Sequence, residues 1–350
     1  MTKLKEQKSI PVGKVQRASK FISTGAKIGG NYLKHYSKKL VNPDLSRDEL
    51  HQDNATDIYN SLSELKGSAL KVAQMLSMDK NLLPSAYQQQ FAMAQYSAPP
   101  LSFPLVVRTF ERSLNKKPLE IFDTFSSAAS NAASIGQVHQ ATLKGKKLAV
   151  KIQYPGVADS VKSDLAMVKP IALRMFKLNQ AEYEEFIGEV ETRLLEESDY
   201  DLELKRSIEL SKQCSHIPNL IFPDYYPALS GNRILTMDWI EGKPLGEIFK
   251  ADSLSQSERN KLGQALWDFY HFQIHTLRSL HADPHPGNFI ITADRKLGVI
   301  DFGCVKVIPA DFYKAYFQLL DKDILNDKAR LDKVFHDLRF IYPDDLAKDR

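Results

Sequence analysis

An α+β fold of two lobes behind an N-terminal helical extension is what this sequence predicts, on three observations. A loop pairs an aspartate with an asparagine five residues on, an Asp-Phe-Gly follows a short apolar strand, and a lysine sits inside a β-patterned run. In His281-Ala282-Asp283-Pro284-His285-Pro286-Gly287-Asn288, Asp283 and Asn288 have the spacing at which phosphoryl-transfer loops place the acceptor-orienting carboxylate and a metal-binding amide. Eighteen residues beyond Asp283, Asp301 in Val299-Ile300-Asp301-Phe302-Gly303 supplies a further metal ligand. Mg²⁺ takes hard oxygen donors and needs only one or two protein carboxylates when phosphates and water complete its octahedron, so Asn288 and Asp301 suit it. Taken singly, Asp-Pro and Pro-Gly mark a turn and Asp301 ends a strand. Their joint spacing points to a protein-kinase-like fold that binds ATP with Mg²⁺.

Residues 1–40 carry ten Lys and Arg against Glu6 alone, a balance of +9 that leaves −5 for the remainder of a chain whose net charge is +4. Val15, Ala18, Phe21, Ile22, Ile28, Tyr32, Leu33 and Tyr36 lie among those lysines, which predicts a basic amphipathic segment suited to an anionic membrane surface. Gly25, Gly29 and Gly30 weigh against a helix there. Residues 41–100 form the helical extension. From Thr56 to Ser77, Ile58, Leu62, Leu65, Ala69, Val72 and Leu76 recur at four and three, the seam of an amphipathic helix, with Lys71 and Gln74 beside it. Such a seam by itself is core packing. Ser97-Ala98-Pro99-Pro100 marks a linker.

The N-lobe is expected over residues 101–237. Lys147 to Gln153 reads as a strand in which Lys151 holds the α- and β-phosphates. Upstream, Ala132, Ala133, Ser134, Gly136 and Val138 belong to an Ala-rich turn where a kinase has a three-glycine cover. Backbone amides still cradle phosphate there, and alanine, by restricting φ > 0, stiffens the turn. One helix is expected from Ala181 to Leu210, with Phe186, Val190, Leu194 and Glu197 on a common stripe. A carboxylate on an apolar stripe needs a cation, which makes Glu197 the expected partner of Lys151. Asp199 and Glu203 fall four apart on another face and read as solvated surface. Residues 238–350 form the hinge and C-lobe. Leu235 to Gly242 reads as a strand entering a turn, where the backbone around Met237, Asp238 and Ile240 is expected to meet adenine. Ser255 and Glu258 form a capping box for a helix carrying Leu262, Leu266 and Phe269.

Lys71-Val72-Ala73-Gln74, the Ala-rich turn, Glu197-Ser198-Asp199 and the loop from His281 to Asn288 together resemble the UbiB family, also called ADCK or AarF, from about Pro11 to Lys306. This family comprises atypical kinase-like proteins tied to ubiquinone biosynthesis. The resemblance implies a protein-kinase-like fold with an added N-terminal helical extension, Mg-nucleotide binding, and action as an ATPase or small-molecule kinase. It also implies a regulatory set, in which Lys71 and Gln74 face the acidic helix and Lys71 meets Asp199 or Glu203. Ala73 stands where the family has glycine, a mild change in a helix. Ala282 replaces the arginine of ordinary kinases, so activation by loop phosphorylation is not expected, and His285 replaces a phosphate-contacting lysine. Forty-nine residues follow Asp301, without an Ala-Pro-Glu, which predicts a C-lobe that is short or truncated.

With 350 residues, 43% hydrophobic and 26% charged, the chain has material for two lobes and an extension. Cys214 and Cys304 make neither a disulfide framework nor a zinc site, and Cys304 reads as a small buried residue in a reducing compartment. No secretory or membrane-spanning stretch is present, so the expected location is cytoplasmic and peripheral to a membrane, ahead of the mitochondrial matrix. No nucleic-acid module accompanies the basic segment. The leading reading is a Mg-ATP-dependent ATPase or small-molecule kinase acting on a lipid or quinone precursor, or on quinone-biosynthesis enzymes. A nucleotide-binding pseudokinase scaffold is the alternative, and a protein kinase ranks third.

Overall fold

The computed structural model describes residues 14–65, 84–92, 100–132, 135–176, 180–251 and 253–341. Lys71, Gln74, Ala133 and Ser134 lie outside these residues, as does the second half of the helix expected from Thr56 to Ser77. The chain divides into two compact units, residues 1–209 with 223–240 and residues 210–222 with 241–350.

In the first unit, α1 (Lys14–Val41) pairs with α2 (Asp48–Leu65), and α3 (Ser85–Ala92) packs on α2. α1 runs unbroken through Gly25, Gly29 and Gly30, contrary to the expectation from composition, because α2 holds it along one side. That side is polar. Arg17, Thr24 and His35 are buried, and their spacing of seven and eleven puts them on one stripe. Thr24 Oγ1 donates to Ser61 Oγ at 2.6 Å, and Asn31 Nδ2 donates to Asp57 Oδ2 at 2.9 Å. The lysines flanking this stripe pair with acids of α2: Lys20 with Glu64, Lys27 with Asp57, Lys34 with Asp53 and Lys38 with Glu49. Val15, Ile22, Leu33 and Leu40 repeat the same spacing about half a turn away and are each 73% exposed or more. The amphipathic reading of this segment is therefore corrected in its geometry. Arg17, Lys20, Lys27, Lys34 and Lys38 are engaged within the unit, and the stripe of Val15, Ile22, Leu33 and Leu40 faces outward.

α4 (Phe103–Leu114) and α5 (Pro118–Ile121) lead into an antiparallel sheet of β1 (Thr124–Phe125), β2 (Asn131–Ala132), β3 (Gly136–Leu143), β4 (Lys146–Gln153) and β6 (Ile234–Asp238). The β3–β4 hairpin turns on Lys144 and Gly145, with φ of 52° and 78°, the pair of positive values that a two-residue hairpin matched to strand twist requires. β4 is central, and from Leu148 to Gln153 every residue is buried. Leu148, Val150, Ile152, Tyr154, Phe110, Phe122 and Ile234 belong to the core of this unit. α6 (Val157–Phe176) and α7 (Gln180–Glu197) follow, then α8 (Tyr200–Cys214).

The second unit begins within α8. Leu210, Cys214, Ile217 and Leu220 are buried with Leu262, Phe269, Phe289, Val299 and Phe302, which draws residues 210–222 into this core. Its sheet runs β5 (Leu220–Ile221), β10 (Leu297–Val299), β9 (Phe289–Ile291), β7 (Lys243–Pro244), with β5 parallel to β10. α9 (Leu245–Lys250) precedes α10 (Gln256–Phe272), whose start is the expected capping box. Ser255 Oγ accepts from Glu258 N–H, and Glu258 Oε2 accepts from Ser255 N–H at 2.7 Å. A second ribbon joins β8 (Ser279–His281) to β11 (Val305–Val307). α11 (Ala310–Gln318), α12 (Lys322–Leu325) and α13 (Lys328–Asp337) close the described chain.

Candidate nucleotide site

In the first unit, β4 carries Lys151 into the core, and its ammonium takes a carboxylate there. Lys151 Nζ donates to Glu203 Oε1 at 2.7 Å and to Oε2 at 3.0 Å, with side chains only 5% and 1% exposed. Glu203 is thus a partner of Lys151 that the periodicity does not give. The carboxylate seen on Lys151 is that of Glu203, on α8, whereas Glu197 is buried in the last turn of α7. Asp199 is the reason. The helix expected to run from Ala181 to Leu210 breaks at Ser198–Asp199, where Asp199 Oδ1 accepts the Leu202 N–H at 3.0 Å and so caps a new helix. Gln153, at the end of β4, donates to the Ser198 carbonyl at 2.6 Å and pins that break beside the lysine strand. Glu203 thus lies in the first turn of α8 and is buried, not on a solvated face. An aspartate just before a helical run is a capping signature that the sequence carried.

Gly136 opens β3, opposite Gln153, and Val138 pairs with Lys151. Gly136 is needed for space: a Cβ there would collide with the Ile152 carbonyl and come within 2.8 Å of Tyr200 Oη. Ala132 lies on β2, opposite Gln137. At the other end of the sheet, Met237 pairs with Ala149 and Asp238 with Leu148, and two hinge donors are already engaged. Asp238 N–H donates to the Asp224 carbonyl at 2.9 Å and Trp239 N–H to the Lys147 carbonyl at 3.1 Å. The Asp238 carboxylate accepts from Tyr226 Oη at 2.6 Å and from Lys146 Nζ at 2.9 Å. The Tyr226 hydroxyl and then Asp238 push the Lys146 ammonium above its ordinary range.

In the second unit, α10 ends in a single π-helical turn, Gln273–Leu277, and Arg278 at φ 54° turns the chain into β8. His281 is buried and tied on three sides. Its N–H donates to Gln273 Oε1 at 2.7 Å, its Nε2 donates to the Asp301 carbonyl at 2.7 Å, and its Nδ1 accepts from Tyr270 Oη at 3.2 Å. Burial, and then the charge of Asp283, raise the Tyr270 phenol pKa. Backbone bonds from Ala282 N–H to the Cys304 carbonyl at 2.9 Å and from Ile300 N–H to the Asn288 carbonyl at 3.1 Å draw the two motif segments together. Asp283, Asn288 and Asp301 therefore issue from one set of pairings. Asn288 Nδ2 donates to the Asp283 carbonyl at 3.0 Å, which turns its amide oxygen away as a donor for a cation. Asp301 Oδ1 accepts the Gly303 N–H at 2.8 Å, while Phe302 is buried in the core.

Hard oxygen from one amide and one carboxylate fits Mg²⁺, which completes its shell with phosphate and water. Among the described residues, no group of three or more His, Cys, Asp or Glu is placed to hold a metal. Tyr200, Tyr270 and Gln273 were not singled out from the sequence. Gln273 had a signal, since it continues the spacing of Leu262, Leu266 and Phe269 as a polar residue on an apolar stripe. Cys304, expected to be buried, is half-buried, and burial pushes the Cys214 thiol up to about 12.

An ABC1 atypical kinase-like domain matches residues 93–335. An uncharacterized aarF domain-containing protein kinase of Arabidopsis thaliana, named as chloroplastic, is 30% identical over 308 residues, 85% of this chain and 43% of that protein. The mitochondrial atypical kinase COQ8 of Saccharomyces cerevisiae is 28% identical over 327 residues, 91% of this chain and 65% of that protein. A solved structure, the complex of Rv3197 with erythromycin from Mycobacterium tuberculosis, aligns with a TM-score of 0.58 and 29% identity over 85% of this chain and 76% of that one. The chain thus spans 43% to 65% of the length of these two curated relatives. With the family domain covering well over half of its residues, this chain belongs to the ABC1 atypical kinase-like family.

Proposed function

We propose that this chain is a Mg-ATP-dependent ATPase or small-molecule kinase that supports isoprenoid-quinone biosynthesis at a membrane surface. The buried Lys151–Glu203 pair carries the reading. A fully desolvated ion pair is a weak source of stability, so its presence fits a lysine held in place to meet phosphate. Lys151 then fixes the α- and β-phosphates, the turn through Ala132, Ala133, Ser134, Gly136 and Val138 covers them, and Asn288 and Asp301 hold Mg²⁺. The metal, when bound, offsets the charge of the transferring phosphoryl group. Asp283 orients the acceptor, which is water for hydrolysis or a hydroxyl of a lipid or quinone precursor. With the Asp238 and Trp239 N–H groups engaged, adenine is left the Ile240 N–H and the hinge carbonyls. Lys71 and Gln74, with Asp199, regulate access, as the resemblance implies. No described helix is long and apolar enough to cross a membrane, and the outer stripe of α1 is the surface that meets lipid.

Phosphate release with Mg-ATP, with and without vesicles, tests this. Asp301→Asn and Lys151→Ala are each expected to lower turnover on the order of a hundredfold or more. Turnover that survives both substitutions overturns the assignment. Nucleotide binding with no phosphate release under any lipid condition gives the scaffold reading instead.

A further inference from the structure

The geometry points to Tyr200 as a positioning residue for Lys151, acting through the face of its ring. Tyr200 opens α8 immediately after the Asp199 cap and is fully buried. Its ring centroid lies 5.2 Å from Lys151 Nζ, within the range in which the negative face of an aromatic ring attracts an ammonium. The other end of the side chain meets the sheet edge at Gly136, where the hydroxyl would stand 2.8 Å from an added Cβ. One side chain therefore bears on both the lysine and the strand that leaves the phosphate cover.

Glu203 neutralises Lys151 through two directed hydrogen bonds, whereas the ring holds the same cation without direction. An ammonium resting on a π face can pivot toward phosphate while keeping its carboxylate, which a second carboxylate would oppose by competing as an acceptor. At Gly136, in an otherwise Ala-rich turn, Tyr200 and the Ile152 carbonyl fill the space a side chain would take. A phosphate that presses on the cover thus presses, through Tyr200, on the seat of Lys151. This coupling deepens the nucleotide reading proposed above and rests on it for the phosphate, though not for the contact between ring and lysine.

The experiment replaces Tyr200 by phenylalanine and then by mono-, di- and trifluorinated phenylalanines, which weaken the ring's negative face with little change of volume. Two quantities are read: acylation of Lys151 by a small anhydride in nucleotide-free protein, followed by mass spectrometry, and the KM and kcat for Mg-ATP. Tyr200→Phe is expected to stay close to the parent in both. Each added fluorine is expected to raise Lys151 acylation and the KM stepwise, on the order of tenfold across the series, with kcat changing less. Acylation and KM that are flat across the series overturn the inference and leave Tyr200 as packing. A graded acylation response in protein that binds no nucleotide leaves the ring contact standing and removes the nucleotide reading instead.

Discussion

His139 lies in a chain of hydrogen bonds that runs from the sheet to the segment before α4. Its Nδ1 donates to the Ser126 carbonyl at 2.8 Å, so its Nε2 accepts from the Gln137 amide at 2.7 Å, and Gln137 Oε1 accepts the Leu101 N–H at 2.7 Å. The ring is stacked on Phe125 at 5.1 Å and buried, and burial lowers its pKa below the ordinary 6.5. Between those two values the unfolded chain binds more protons than the folded one, so stability is full above the ordinary value and falls as pH drops toward the folded one. The thermal midpoint is expected to decline below about pH 6.5, and His139→Asn to flatten that limb of a melting series. At this scale legibility was mixed. Asp283, Asn288, Asp301 and Lys151 are candidates because their spacing and residue type are written in short motifs, whereas Glu203, read as surface or as a partner of Lys71, is found on Lys151. Its role depends on a helix break that a single apolar stripe conceals.

α1 shows why composition and periodicity stop short of orientation. Lysines and apolar residues on one helix suggested contact with anionic lipid, yet the acids of α2 take up Lys20, Lys27, Lys34 and Lys38. What remains outward is the stripe of Val15, Ile22, Leu33 and Leu40, the surface proposed above to meet lipid. Flotation on neutral phosphatidylcholine vesicles is expected to persist at high salt, and the double substitution Ile22→Ser with Leu33→Ser to abolish it. Binding that requires anionic lipid and disappears with salt restores the electrostatic reading. The capping box at Ser255 and the hairpin at Lys144–Gly145 were different in kind: cap and turn chemistry is local, and it survives folding unchanged.

Over the whole molecule, Arg17 and Asp164 join segments 147 residues apart in sequence, with side chains 4% and 0% exposed. Arg17 Nε and Nη2 donate to the two Asp164 oxygens at 2.7 and 2.5 Å, and Nη1 donates to the Leu65 carbonyl at 2.9 Å. One guanidinium thus fixes α1 against α6 and caps the end of α2. Breaking a buried pair from one side costs about 3–5 kcal/mol, whereas replacing both partners by apolar residues of similar volume is close to neutral. Urea unfolding is expected to place Arg17→Ala in the first class and Arg17→Met with Asp164→Leu in the second. A mild Arg17→Ala would mean that water reaches Asp164.

By itself the sequence determined the motif loop, the lysine strand, the hinge strand and the caps, because each is written in neighbouring residues whose chemistry acts over one turn or one strand. Only the tertiary structure decided which carboxylate faces Lys151, which side of α1 is outside, and why residues 210–222 join the second core. Those outcomes depend on partners in other elements, 11 residues away for Lys38 and Glu49, 44 for Lys20 and Glu64, and 52 for Lys151 and Glu203. A hydrophobic pattern says that a face must be covered; packing selects what covers it.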